Sequence, residues 1–446
     1  MAIPNILNLS AYLITRFDET DDAYHIAAQP RTSPPVCVHC QQATLVGFGH
    51  REQWIRDLPM HGKRVSLYLR TRRFRCKSCG RTFYGPFPDV DAKRLMTRRL
   101  VAWMGNEAIR RPFAHVARDV GVDEATVRDV FHDWVADLEA RRRVETPAWL
   151  GLDEIHLMRP RGVVTNVERL TLVDILVNRN KDTISRYLAG LPHHDRIQLV
   201  AMDMWRPYKD AVEATLPQAT IVIDKFHVLK LANAAVDRVR KDIRGTLTPA
   251  QRRGLMHERF VLLKREADLT DREVLLLSTW VKNYPLLGAV HQQKEAFFRI
   301  YDARSRGDAH RLFQTWEQGL APDLRRAFTD LLTAWHHWHA GILAYFDHPI
   351  TNAYTESLNN LIRATDRMGR GYSFDALRAK MLWSQGSPHP LHARPKLTRQ
   401  PPLADRVPAM GNAELRGRSG GLPRPAYAPD YGVDLATLAA SLGADA

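Results

Sequence analysis

The chain has 446 residues, of which 45% are hydrophobic, enough for two or three domains with cores of their own. Lysine and arginine number 64 against 49 aspartates and glutamates, and the net charge of +15 predicts a polyanionic partner, nucleic acid first. Four cysteines are too few for a disulfide scaffold. With no recognisable signal segment and no run of ~18 apolar residues, we expect a cytoplasmic protein without a membrane partner.

Two Cys-x-x-Cys pairs lie within the first 80 residues, Cys37 with Cys40 and Cys76 with Cys79. Each pair places two thiolates on one tight turn, so the two pairs together supply the four sulfurs of a closed, structural zinc site. The 35 residues between the pairs exceed the usual zinc-ribbon spacing. Because this segment contains strand-like runs such as "RVSLYLRTRRF", we predict an inserted β-hairpin. The alternatives are a redox pair, unrelated surface cysteines, or ligation by His39 or His61.

Cations crowd the second cysteine pair in "RTRRFRCKSCGRTF". A backbone held by a metal, with cations protruding from it, suits contacts with DNA phosphates. The alternative is a solvated basic edge strand. The side chains predicted to bind DNA here are Arg72, Arg73, Arg75, Lys77 and Arg81.

The segment "PFAHVARDVGVDEATVRDVFHDWV", residues 112–135, has the pattern of a helix-turn-helix. Gly121 stands where a tight turn needs a positive φ, and Asp123 can cap the helix that follows. Thr126 and Arg128 on that second helix are placed to reach base edges or phosphates. An ordinary helical hairpin is the alternative, and the basic context favours DNA binding.

From residue 147 the chain alternates strands and helices. "PAWLGLDEIHL" reads as a strand carrying Asp153, two further strand patterns follow, and "RIQLVAMDMWRPY" reads as a strand ending in Asp203. After one helix, "ATIVIDKFHV" carries Asp224. Three antiparallel strands, then helix, strand, helix and strand, is the order of a ribonuclease-H-like sheet. Acids on the first and fourth strands of that sheet lie side by side.

A long helical block from about 228 to 345 precedes "NAYTESLNN", which reads as a helix with one lone acid, Glu356. Its polar face is predicted to look into a charged site, and its apolar face to pack on the sheet. The polar face comprises Asn352, Glu356, Asn359 and Arg363, and the last is placed to touch a phosphate. The apolar face comprises mainly Tyr354, Leu358, Leu361 and Ile362.

Three converging carboxylates suggest a particular chemistry. In-line cleavage of a phosphodiester needs an activated water and a stabilised leaving oxygen, and two magnesium ions about 3.5–4 Å apart supply both. Magnesium binds through a few carboxylates together with substrate phosphate. Carboxylates clustered without a cation would repel one another. Any single aspartate at a strand end is more often solvated or capping, so only the combination indicates a metal site.

These motifs resemble the ISL3 family of bacterial insertion-sequence transposases, a branch of the DDE transposases, from about residue 10 to 385. The resemblance rests on the cysteine pairs with "RRFRCKSCGRTF", on "LGLDEI" and "MDMWRPY", on "PQATIVIDKFHVLKLANAAVDRVR", and on "NAYTESLNNLIRATDRMGRGYSF". It implies that Asp153, Asp203 and Glu356 form the catalytic triad, with Mg²⁺ or Mn²⁺ catalytic and Zn²⁺ structural. It also implies cleavage at transposon ends followed by strand transfer.

The predicted architecture is multidomain α/β with four regions. We expect a zinc ribbon at 1–90, a helix-turn-helix at 91–146, a ribonuclease-H-like catalytic domain at 147–386 with a long α-helical insertion, and a flexible basic tail at 387–446. The first two would recognise the inverted repeats at the transposon ends. We expect a homo-oligomer on double-stranded transposon-end and target DNA, associated with the bacterial nucleoid.

Three alternatives stay open at this point. Asp224 rivals Asp203 as the second acid, and fold order favours Asp203. His227 either contacts DNA or orders the site, or it is a packed histidine after a strand. The rival functions are a non-catalytic DNA-binding regulator derived from a transposase, and a structure-specific nuclease built on the same core.

Overall fold

The computed structural model describes residues 8–85, 87 and 89–386. The predicted tail at 387–446 lies outside the described residues. None of the described helices is long and apolar enough to cross a membrane.

The first sheet contains both cysteine pairs at one end. Its strands are β1 Tyr12–Glu19, β2 Ala23–Pro30, β3 Leu45–Met60, β4 Lys63–Cys76 and β5 Thr82–Tyr84, in the order β1-β2-β4-β3 with β5 paired to β4. The long strands β3 and β4 form the predicted hairpin between the pairs. Its turn, His61–Gly62, has φ values of 53° and 80°, as a two-residue hairpin turn requires. Alternate residues of β4 are buried, so one face of the hairpin covers a small core.

Three helices follow: α1 Arg98–Arg110, α2 Phe113–Val120 and α3 Glu124–Arg141. Gly121 ends α2 in the left-handed conformation, with φ 76°. Asp123 caps α3, where its carboxylate accepts the backbone N–H of Thr126 at 2.6 Å. Both features agree with the helix-turn-helix prediction.

The second sheet carries the candidate acids. Its strands are β6 Trp149–His156, β7 Pro160–Asn166, β8 Thr171–Leu176, β9 Leu199–Met202 and β10 Thr220–Ile223. Their order is β10-β9-β6-β7-β8, with β6, β7 and β8 antiparallel and β9 and β10 parallel to β6. Helices α4 Lys181–Ala189 and α5 Arg206–Thr215 connect the strands. The strand β6 is therefore central, and the chain leaves β6, β9 and β10 in the same direction.

The regular elements between β10 and residue 345 are all helical, as predicted for this block. They are α6 Lys225–Asp242, α7 Pro249–His257, α8 Arg259–Leu263, α9 Asp271–Asn283, α10 Pro285–Phe298, α11 Arg306–Gln318, α12 Pro322–Arg325 and α13 Thr329–Ala344. Their core is continuous with that under one face of the second sheet and contains aromatic rings in contact, such as the stacked rings of Phe313 and Trp335. Helices α14 Ala353–Gly369 and α15 Phe374–Gln385 then return to β6 and β8.

Helix α15 joins the second sheet to the three N-terminal helices. Arg378 donates to both oxygens of the buried Asp174 on β8, at 2.7 and 2.9 Å, and to Glu139 on α3 at 3.0 Å. Lys380, 1% exposed, donates to the carbonyls of Ala108 and Arg111 at the end of α1. One apolar core accordingly runs from α1–α3 to the α14–α15 pair.

Candidate functional site

The four cysteines come together in a geometry that fits one tetrahedral cation. Their sulfurs all lie within 4.8 Å of one another, with Cys37 Sγ 3.8 Å from Cys79 Sγ and Cys40 Sγ 3.6 Å from Cys76 Sγ. Tetrahedral zinc with Zn–S bonds of about 2.3 Å needs sulfurs about 3.8 Å apart. Hydrogen bonds from the Thr44 hydroxyl and then from the Cys79 backbone lower the pKa of the Cys76 thiol to about 6. The residues therefore suit structural zinc, with no ligand position left open.

The predicted basic surface lies on β4 and on the cysteine turn that follows it. Arg72, Arg75, Lys77 and Arg81 are exposed, and Arg73 is half-buried. Two exposed rings stand among them: the Arg73 guanidinium lies 5.3 Å from the Phe48 ring centre and 5.7 Å from that of Tyr84. Guanidinium groups held against rings in this way are oriented for phosphate contacts.

The two predicted contact residues of the helix-turn-helix lie in the first turns of α3. Arg128 is exposed and pairs with Glu124 at 2.8 Å, while Thr126 is half-buried. The helix dipole gives the α3 N-terminus partial positive charge, and the carboxylates of Asp123 and Glu124 lie in the same turn.

The candidate acids gather beside one end of β6. Asp153 is on β6, Asp203 directly follows β9, and Asp224 directly follows β10. Glu356 is exposed in the first turn of α14, which packs on β6. The structure thus brings together all three predicted acids and the alternative, Asp224.

The electrostatics of Asp153 report this crowding. Burial, followed by the negative charges of Asp203, Asp224 and Glu356, raises the pKa of the Asp153 carboxyl to about 7, and the positive charge of Arg363 opposes this rise. The carboxylates do not reach ligand distance of one another: in the described chain, the cysteines alone bring three or more ligand atoms within 4.8 Å. The acids therefore form a loose cluster that a cation could draw together.

Asp203 and Asp224 differ in how their oxygens are used. Asp203 Oδ1 is buried and has no hydrogen-bond partner among the described residues. Burial raises the pKa of Asp203, while His227 and Arg179 favour its charged form. Asp224, 3% exposed, has both oxygens occupied: Oδ1 accepts the Phe226 N–H at 3.1 Å as the cap of α6, and Oδ2 accepts the Asn352 N–H at 3.3 Å. Asp203 is the acid with an oxygen to spare.

Two neighbouring side chains extend this picture. His227 Nδ1 lies 3.9 Å from Asp224 Oδ2, buried and without a hydrogen-bond partner in the described chain, so His227 faces the acids. Arg179 pairs with Glu154 and stacks over the Trp205 ring at 4.3 Å. Sequence reasoning missed Arg179, because it lies in a loop without a motif.

The prediction for the two faces of α14 is partly wrong. Leu358 and Ile362 are buried as expected, but Leu361 is 40% exposed. The buried Asn352, Thr355 and Asn359 also contact β6 and β7, beside Leu358 and Ile362, which pack on the same sheet as predicted. The reason is that β6 offers backbone carbonyls and a carboxylate there, and these need donors.

Comparison with known proteins follows the same division of the chain. A family profile described as "Transposase" matches residues 150–381. The zinc-finger profile of transposases IS204/IS1001/IS1096/IS1165 matches residues 33–79, and the helix-turn-helix profile of transposase family ISL3 matches 86–135. The chain belongs to the ISL3 family of transposases. The resemblance inferred from the motifs is thereby confirmed, and the protein is a DNA transposase.

A curated relative agrees with this assignment. The transposase for insertion sequence element IS1001 of Bordetella parapertussis is 28% identical over 338 residues, covering 71% of this chain and 80% of the relative. A DDE transposase domain implies a divalent metal ion. The residues of this transposase fit such an ion. Asp203 has a buried oxygen without a hydrogen-bond partner in the described chain, and the pKa of the Asp153 carboxyl, about 7, shows that negative charge is crowded around it.

Proposed function

We propose that the transposase binds the terminal inverted repeats of an insertion sequence, cuts the DNA there and joins the freed 3′-hydroxyl to target DNA. Asp153, Asp203 and Glu356 would hold the divalent cations, Mg²⁺ or Mn²⁺. The observation that carries this proposal is the gathering of the three acids from two adjacent parallel strands and one helix, separated by 203 positions of sequence between first and last.

We also propose that the catalytic sheet is ribonuclease-H-like. Three antiparallel strands followed by two strands parallel to the first, with β6 central, support it. Such a sheet accounts for the site, because Asp153 and Asp203 directly follow the paired residues Leu152 on β6 and Met202 on β9, and α14 packs on β6. The proposed domain boundaries remain 1–90, 91–146 and 147–386.

Bound divalent cations supply an activated nucleophile and stabilise the leaving oxygen of an in-line displacement. The chain's own residues form the site that would hold these cations. Asp203 offers its unpaired Oδ1, and Asp153 is held by hydrogen bonds from its own strand and from α14. Arg363, two turns beyond Glu356, would contact a DNA phosphate close to the acids.

Recognition of the DNA is assigned to the two N-terminal modules. Arg72, Arg73, Arg75, Lys77 and Arg81 would contact phosphates, and Thr126 and Arg128 would reach base edges or phosphates. Two transposon ends must be held together for transposition, so we propose that the transposase acts as a homo-oligomer on DNA.

The test is cleavage of the element's own terminal DNA by the purified transposase with Mg²⁺ or Mn²⁺. Asp203→Asn is expected to abolish cleavage without weakening end binding, whereas Asp224→Asn retains cleavage because asparagine still caps α6. If only Asp224→Asn loses cleavage, the second acid is Asp224 after β10, and the assignment to Asp203 after β9 is wrong. A wild-type protein that binds the ends but never cuts would instead support the regulator.

A further inference from the structure

The central strand β6 extends beyond its neighbour β9. Pairing with β9 ends at Leu152 opposite Met202, while β6 continues to His156. Beyond this point, side chains of other elements donate hydrogen bonds to the carbonyls on this side of β6. The carbonyls of Leu152, Asp153 and Glu154 accept hydrogen bonds from Asn352 at 3.0 Å, Tyr208 at 3.1 Å and Asn359 at 3.1 Å, respectively.

Asn359 differs from the other two donors because it also binds a carboxylate. Its Nδ2 donates to Asp153 Oδ2 at 3.0 Å as well as to the Glu154 carbonyl. Both partners are acceptors, which fixes the orientation of the amide, and both of its protons are used. The other oxygen, Asp153 Oδ1, accepts the backbone N–H of Glu154 at 2.7 Å. The carboxylate is therefore fixed about its bond to Cβ, and lone pairs on both oxygens remain available.

We propose that Asn359 is the positioning residue of the metal site, which orients Asp153 for cation binding and sets its distance from Glu356. This inference rests on the proposed function. Asn359 is 3% exposed and lies one helical turn after Glu356, so one turn of α14 carries an acid and holds another. Asp153 and Glu356 are 203 positions apart in sequence. The Asn359 side chain hydrogen-bonds α14, which carries Glu356, directly to β6, which carries Asp153.

The second amide of this helix face provides a matched control. Asn352, 1% exposed, donates to the Leu152 carbonyl and accepts the Thr355 hydroxyl. Its side chain also attaches α14 to β6, through one hydrogen bond instead of two, and this side chain touches no carboxylate. A purely structural role for both amides predicts equal effects of substitution, whereas a positioning role predicts an effect on cation binding at Asn359 alone.

The experiment measures Mn²⁺ binding to the zinc-loaded, full-length transposase by electron paramagnetic resonance of free Mn²⁺. Wild type, Asp153→Asn, Asn359→Leu and Asn352→Leu are compared, with thermal unfolding as the measure of stability. We expect Asn359→Leu to weaken the Asp153-dependent binding about tenfold or more. We expect Asn352→Leu to lower the unfolding temperature by a similar amount, with Mn²⁺ affinity within about threefold of wild type. If Asn359→Leu does not fold, Asn359→Ala takes its place.

The outcomes separate the two proposals. Wild-type Mn²⁺ affinity in Asn359→Leu, or equal losses of affinity in both asparagine variants, overturns the positioning role while the Asp153-dependent site stands. Wild-type protein that binds no Mn²⁺ through Asp153 overturns both proposals at once. Loss of Mn²⁺ affinity confined to Asn359 establishes the positioning role.

Discussion

Gly151 is two residues before Asp153 on β6, and its missing side chain lets α14 approach the strand. A Cβ at this position would lie 2.3 Å from Thr165 Oγ1 and 2.7 Å from Asn352 Oδ1. Real Cβ contacts are longer, so Gly151→Ala must displace Thr165 on β7 as well as Asn352 at the start of α14. We expect a loss of about 1–3 kcal/mol in the free energy of unfolding, measured by urea denaturation, together with reduced cleavage.

Gly162 on β7 of the same sheet is the control for this substitution. A Cβ there would lie 3.3 Å or more from its nearest neighbours, which include the flexible end of Ile184. Gly162→Ala should therefore cost less than Gly151→Ala. Equal costs would mean that the close approach of α14 is not what requires glycine at 151.

Asp153 should make the metal-free protein less stable as pH rises. Its pKa is about 7 in the folded protein and about 4 in an unfolded chain, so the folded state binds more protons between these values. The free energy of unfolding then falls from pH 4 towards pH 7 and stays low above it. We expect Asp153→Asn to remove this fall, measured by urea denaturation at pH 5 and pH 8 without added Mg²⁺ or Mn²⁺. If Asp153→Asn is no more stable to urea than wild type at pH 8, the crowding of the acids around Asp153 is contradicted.

At the scale of elements, Asp224 connects the two ends of the helical insertion. It caps α6, where the insertion begins, and accepts the Asn352 N–H, where α14 begins. Asparagine caps helices as well as aspartate does, and alanine does not, but the asparagine Nδ2 cannot accept the Asn352 N–H. We expect Asp224→Ala to lose about 1–2 kcal/mol of stability and Asp224→Asn less, measured by thermal unfolding. Similar losses in the two variants would mean that the bond to the Asn352 N–H matters more than the cap.

How far the sequence predicts these elements depends on the kind of interaction. The hairpin, the positive φ of Gly121 and the Asp123 cap were predictable because each depends on residues close in sequence. Periodicity placed Asn352 and Asn359 on the face of α14 that looks towards the acids. Their hydrogen-bond partners were not predictable, since these are carbonyls of β6 some 200 residues away in sequence.

The same limit applies to the acids. Strand order placed Asp153 and Asp203 side by side, but the choice between Asp203 and Asp224 depends on which oxygens are already hydrogen-bonded. That distinction is a matter of tertiary contacts within hydrogen-bond range, and spacing in sequence carries no information about it. The cysteine site was predictable because each half of it is a local turn.

At the scale of the whole molecule, Lys380 joins α15 to the DNA-binding helices. Burial lowers its pKa to about 7, while in an unfolded chain it is about 10.4. Between these values the unfolded state binds more protons, so the stability contributed by Lys380 rises with pH. We expect Lys380→Met to destabilise the protein, because two carbonyls of α1 lose their donor, and to do so more at pH 9 than at pH 7. Chemical denaturation at both pH values measures this, and a pH-independent loss would contradict it.

Zinc should stabilise one end of the first sheet and little else. The cysteines pack with Phe74 and Phe83, apart from the cluster under the rest of the hairpin. Removal of zinc by a chelator should therefore speed hydrogen exchange in residues 37–48 and 74–84 and weaken binding to DNA. Exchange in α1–α3 should stay unchanged. Faster exchange there would mean that the zinc site supports the helix-turn-helix as well.

The position of α15 in the chain has a consequence for synthesis. The zinc-site hairpin and the helices α1–α3 leave the ribosome more than 200 residues before Arg378 and Lys380, the side chains that dock those helices on the catalytic sheet. Glu356 also emerges late. A nascent chain therefore carries its DNA-binding surfaces long before its acids are assembled, and premature termination between residues 142 and 355 leaves both DNA-binding modules in a chain that lacks Glu356.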